Sequence, residues 1–142
     1  MRVYGFIPKL AITNNELVLH YQPKIDFGSN RVCGVEALVR WQHPIHGLLP
    51  PDKFIPLAEQ TGLIKSMTQH ILKIALHQCE EWQQTGLDLS IAVNISAINI
   101  QDAEFPDQVA KLLKESTVPP ARIELEITET AVMAEPVRAV DC

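Results

Sequence analysis

A chain of 142 residues with a formal net charge of -5, 46% hydrophobic and 20% charged residues has the composition of a folded globular domain. The negative balance gives no broad attraction to a nucleic acid backbone. That sets DNA and RNA duplexes aside as partners and leaves any anionic ligand to local charges or metal ions. No apolar run approaches the roughly 20 residues that a membrane-spanning helix needs, and Pro8 and Lys9 interrupt the N-terminal apolar residues before a signal-like core forms. The cysteines Cys33, Cys79 and Cys142 lack CxxC spacing and are odd in number. They argue against a disulfide framework or zinc site and for a reducing cytoplasm. Cys33 and Cys79 read as small core residues.

In chain order, Glu16 to Ile25 (ELVLHYQPKI) reads as a strand. The polar turn Asp26-Phe27-Gly28-Ser29-Asn30 leads into a second strand, Val32 to Trp41, and the short link predicts a hairpin. A loop rich in His, Gly and Pro (HPIHGLLPP) follows, then a short helix in PDKFIPLAEQ that Thr61-Gly62 closes. The helical spacing of Ile64, Met67, Ile71, Ile74, Ala75 and Cys79 predicts a longer helix from about Leu63 to Gln84. Leu89 to Ser96 reads as a third strand, Phe105 to Glu115 as a helix broken by Pro119-Pro120, and Arg122 to Thr128 as a fourth strand. The tail TAVMAEPVRAVDC begins a further helix, interrupted near Pro136. Strands alternating with helices predict βαβ units and a parallel sheet.

Period-two alternation assigns faces. In the third strand Leu89, Ile91, Val93 and Ile95 share one face, and Ser90, Ala92, Asn94 and Ser96 the other. In the fourth, Ile123, Leu125 and Ile127 oppose Glu124, Glu126 and Thr128. The second strand aligns Glu36, Leu38 and Arg40, and the first aligns His20 and Gln22. Two glutamates facing inward are costly unless a cation or hydrogen-bond donors compensate. Glu36, Asn94 and Glu126 would supply oxygen ligands, which favour hard cations such as Mg²⁺, Mn²⁺ or Ca²⁺. The competing interpretation is that these residues are salt-bridged or solvated side chains of an ordinary α/β domain. His43 and His46, in a Pro- and Gly-containing loop, read as turn residues. Glu16, Asp26, Glu80 and Glu81 read as surface charge.

The order of segments is more specific. ELVLHYQPKID, then GVEALVRWQHPIHGLLPPDKFIPLAEQTGLI, then AVNIS and ELEITET closely resemble the N-terminal half of an EAL domain, over about residues 10–135. The signature Glu-Ala-Leu is Glu36-Ala37-Leu38. The resemblance implies a modified (β/α)8 barrel of TIM-barrel type with one antiparallel strand, here truncated to about its first half. Residues 1–142 are then one partial domain with no second domain. It further implies hydrolysis of cyclic di-GMP to pGpG with Mg²⁺ or Mn²⁺. By resemblance Glu36, Asn94 and Glu126 are metal ligands; Gln22, Leu38 and Arg40 contact substrate; and Glu129 steadies an active-site loop. Two divalent ions about 4 Å apart suit such chemistry, polarising phosphoryl oxygens and activating water. Arg40 can grip two phosphate oxygens through its planar fork.

The family's DDFG run, a later lysine and the general-base glutamate are absent from this sequence. Members of such a constellation act as a unit, so the expectation is that the 142 residues alone do not turn over cyclic di-GMP. The alternative function is a module that binds cyclic di-GMP or a protein without turnover. The open edges of a half barrel predict pairing with a second copy into a homodimer.

Overall fold

The computed structural model describes residues 7–127. Helix α1 (Ile7–Thr13) precedes strand β1 (Leu17–Asp26), which turns into β2 (Arg31–His43). The two strands pair antiparallel, with Gln22 opposite Glu36, as the short polar link predicts. The turn is tied by Asp26, whose carboxylate accepts from Ser29 Oγ at 2.8 Å and Gly28 N at 3.2 Å. These bonds, the Ser29 hydroxyl first, hold the Asp26 carboxyl below the usual carboxylate range.

The HPIHGLLPP loop contains a three-residue strand, β3 (Gly47–Leu49), which folds back on the end of β2 with Trp41 opposite Leu49. Sequence patterning does not reveal it, because three residues carry no periodicity. A 3₁₀ turn (Pro51–Lys53) leads into α2 (Ile55–Thr61). Gly62 closes that helix at φ 81°, a left-handed geometry favouring glycine. Helix α3 (Ile64–Gln84) buries Ile64, Met67, Thr68, Ile71, Leu72, Ala75, Leu76 and Cys79. Ile74 is only half-buried, so the apolar stripe is rotated slightly toward Leu72 and Leu76.

Strand β4 (Ser90–Ile95) lies parallel to β2, and β5 (Ile123–Ile127) lies parallel to β4. Between them stand α4 (Ala97–Gln101) and α5 (Phe105–Lys114). Helix α4 is unforeseen from periodicity, but its start is legible: Ser96 Oγ caps it by accepting from Ile98 N at 3.1 Å. The strand order is β1-β2-β4-β5, with β3 beside β2. This mixed sheet matches the α/β expectation.

The sheet is two-sided in chemistry. Val35, Ala37, Trp41, Ile91, Val93 and Ile95 are buried under the helices. Trp41 anchors this core edge-on to Phe54, and its Nε1 donates to Glu16 Oε1 at 3.0 Å. Glu80 accepts Thr117 N at 2.8 Å and is held below the usual carboxylate range, chiefly by that backbone bond. Glu16 and Glu80 are therefore structural acceptors, a correction to their assignment as surface charge. Of the apolar residues of β5 only Ile123 is half-buried, lining a small apolar crevice with Leu72, Leu76, Val109, Leu112 and Leu113. Leu125 and Ile127 are exposed, so the expected helix packing holds at one of three positions.

Cys79 is a buried free thiol, as expected. Cys33 is disulfide-bonded. That corrects the expectation of an unpaired thiol at this position. Glu129, Thr128, Cys142 and the predicted final helix lie outside the described residues. Among the described residues no helix is long and apolar enough to cross a membrane.

Candidate active site

Strand register builds the polar face row by row. Gln22 lies opposite Glu36, Glu36 opposite Ala92, and Ala92 opposite Glu124. His20 lies opposite Leu38, and Asn94 opposite Glu126. Because partners in register share a face, Gln22, Glu36, Leu38, Arg40, Asn94 and Glu126 all project from one side of the sheet. Asn94 Nδ2 donates to Glu36 Oε2 at 3.1 Å, a contact between residues 58 apart in sequence. Ala92 is fully buried between the carboxylate-bearing positions Glu36 and Glu124. Its small side chain leaves the longer ones room above it.

Glu36, Asn94 and Glu126 therefore form a contiguous group on β2, β4 and β5. Their donors are two carboxylates and an amide, an all-oxygen set that suits a hard divalent ion. With Nδ2 spent on Glu36, Asn94 keeps Oδ1 for a cation. Among the described residues no three His, Cys, Asp or Glu side chains gather into a metal-binding cluster; the group here is two carboxylates and the Asn94 amide. Arg40 is half-buried further along β2, where its guanidinium donates to Val39 O at 2.8 Å. Gln22 is exposed and Leu38 half-buried.

A cation does stand beside the two glutamates of β5, which are largely exposed: it is Lys24. It is buried, and its Nζ lies 3.1 Å from Glu124 Oε1 and 3.7 Å from Glu126 Oε2. Sequence reasoning missed it, although Lys24 is in phase with His20 and Gln22 and the signal was present. Also missed was the tie just beyond Asn94: Ser96 Oγ donates to Glu59 Oε2 at 2.7 Å, fixing the end of β4 to α2. His43 serves as a turn acceptor, its Nδ1 receiving Ile45 N at 3.0 Å and His46 N at 3.1 Å. Tyr21, on the helix side against Trp82, has its hydroxyl pushed up to about 12, mainly by burial. It stays protonated near neutral pH and is unsuited to proton transfer.

A family model, the EAL domain, matches residues 9–140. The chain belongs to the EAL-domain family. The EAL chain is 42% identical over 126 residues to MucR of Pseudomonas aeruginosa, a bifunctional diguanylate cyclase/cyclic di-GMP phosphodiesterase, covering 88% of this chain and 18% of that protein. It is 38% identical over 123 residues to the Escherichia coli cyclic di-GMP phosphodiesterase PdeR, covering 87% and 18%. An uncharacterized Synechocystis protein is 45% identical over 124 residues, covering 87% and 18%. The EAL chain thus spans less than a fifth of the length of these relatives. Among solved structures, the PaMucR phosphodiesterase in complex with c-di-GMP superposes with a TM-score of 0.82 at 41% identity, covering 89% of this chain and 52% of that one. The FimX EAL domain from Pseudomonas aeruginosa, at 22% identity and a TM-score of 0.80, shares the fold.

Proposed function

We propose that the polar face of this sheet is the metal- and substrate-binding part of a cyclic di-GMP phosphodiesterase. The observation that carries the reading is the adjacency of Glu36, Asn94 and Glu126, joined by the 3.1 Å Asn94–Glu36 bond and by the Asn94–Glu126 register. The relatives' own cyclic di-GMP activity supports it.

In this reading Glu36, Asn94 and Glu126 hold Mg²⁺ or Mn²⁺. When bound, the ion supplies Lewis acidity toward a phosphoryl oxygen. The carboxylates offset its charge, while Asn94 adds a ligand without adding charge. Arg40 exchanges its bond to Val39 O for a phosphate oxygen, a stronger charge-assisted contact. Leu38 and Gln22, on the same face, shape the bed for the guanine and sugar portions. A (β/α)8 barrel completed by further strands would place this face inside, with the site at the C-terminal ends of β2, β4 and β5. Binding of cyclic di-GMP without turnover is the second reading, and the test below separates the two. Self-association through the edge strands β1 and β5 would appear as concentration-dependent elution in size-exclusion chromatography.

The test incubates the chain with cyclic di-GMP and Mn²⁺, following binding by titration calorimetry and pGpG by chromatography. Binding is expected, and Arg40→Ala weakens it about tenfold to a hundredfold, the worth of a charged hydrogen bond. Turnover lost in Glu36→Ala assigns catalysis to the chain itself. Cyclic di-GMP binding that neither variant alters refutes the proposed site.

A further inference from the structure

Lys24 bridges between strands distant in the sheet order. It lies on β1, while its two partners lie on β5 at the other end of the β1-β2-β4-β5 order. Its register neighbour is Gly34, whose own neighbour is Ser90. Lys24 thus starts one row below Gln22, Glu36 and Glu124, and its side chain rises toward Glu124 and then Glu126. The ammonium is almost wholly covered, its side chain 9% exposed against 55% and 41% for the two glutamates. A covered ammonium persists only where anions compensate its lost hydration. The two contacts are unequal: the 3.1 Å contact with Glu124 is a hydrogen bond, whereas Glu126 at 3.7 Å is held by charge.

We propose that Lys24 is a resident counter-cation of the metal site: it anchors to Glu124, holds Glu126 while no metal is present, and sets the charge that an arriving divalent ion meets. This rests on Glu126 being a metal ligand. Three carboxylates, Glu36, Glu124 and Glu126, share the face. With Lys24 the formal sum of these four groups is two negative charges. Without Lys24 it is three. Lys24 therefore stabilises the face before metal arrives and opposes the metal once it comes, because like charges repel across this short range. Its hold on Glu124 is the permanent one. Its longer contact with Glu126 is the one released when that carboxylate turns to a metal ion.

The experiment measures Mn²⁺ affinity by titration calorimetry and thermal unfolding with and without Mn²⁺. It uses the 142-residue wild-type chain and the Lys24→Met, Lys24→Arg and Glu126→Gln variants. Lys24→Met keeps the length of the stem and removes the charge. It is expected to lower the metal-free melting temperature yet bind Mn²⁺ about tenfold more tightly, so that Mn²⁺ raises its melting temperature more than that of the wild type. Lys24→Arg retains the charge and stays near wild-type affinity. A purely structural ion pair would instead lower the melting temperature equally in both conditions and leave Mn²⁺ affinity unchanged, which overturns the inference. If Glu126→Gln binds Mn²⁺ as tightly as the wild type, the metal reading fails, and the role of Lys24 toward the metal falls with it. If Lys24→Met proves too unstable to purify, Lys24→Gln carries the same comparison with a hydrogen-bond donor retained.

Discussion

Gly34→Ala tests whether the close approach of two strands fixes the geometry of the site. Gly34 lies on the polar face of β2, two residues before Glu36, and opposite Ser90 of β4. A Cβ at this position would meet Ser90 Oγ at 2.5 Å and the Ser90 carbonyl oxygen at 2.9 Å. The hydroxyl can rotate away. The carbonyl belongs to the backbone of a paired strand and cannot. Ordinary C···O approach is about 3.3 Å or more, so the strands must part locally by roughly 0.4 Å. Forced overpacking of this kind costs about 1–3 kcal/mol. For a chain of this size that is a fall of about 3–9 °C in melting temperature. Far-UV circular dichroism during thermal and urea unfolding measures it. Glu36, two residues on, would be carried away from Asn94, so Mn²⁺ affinity should fall together with stability. The double variant Gly34→Ala/Ser90→Ala removes only the hydroxyl clash and should recover the smaller part of the loss. The reasoning is refuted if Gly34→Ala unfolds within about 0.5 kcal/mol of the wild type, the scatter of inert surface changes, or if Ser90→Ala restores it fully.

Two further predictions address the helices and the turn after β2. Thr68 Oγ1 donates to Asn99 Oδ1 at 2.9 Å, and both residues are buried. Thr68→Val leaves the amide oxygen without that donor and should cost about 1–3 kcal/mol. Thr68→Val/Asn99→Leu should be less destabilised than the two single changes summed, and strict additivity in urea unfolding would rule out the coupling. Burial, reinforced by His46, holds the His43 imidazole below its usual pKa. The unfolded chain then takes up a proton near pH 6.5 that the folded chain resists. Stability should fall as the pH drops below about 6.5 and level off below the folded pKa. His70 is shifted the same way, again by burial, so His43→Asn should shrink the loss between pH 7 and 5 without abolishing it. An unchanged pH profile would show that the imidazole is not the titrating group.

The alternation of apolar and polar residues in each strand determined, from sequence alone, which side chains share a face. Glu36, Leu38 and Arg40 on β2, and Glu124 and Glu126 on β5, needed no coordinates, because period-two geometry is intrinsic to an extended backbone. The hairpin, the stop at Gly62 and the long helix were legible for the same local reasons. What the sequence could not decide was which face meets which across strands. Asn94 reaches Glu36 only because β4 pairs in parallel with β2 in one particular register, and a one-residue slip would turn it to the helix side. The cation for the two glutamates was likewise undetermined. Sequence called for a cation or hydrogen-bond donors, without saying which group would serve. Only the tertiary structure selected Lys24, since a contact between residues 100 apart in the chain depends on how the whole sheet is ordered and twisted rather than on any local preference.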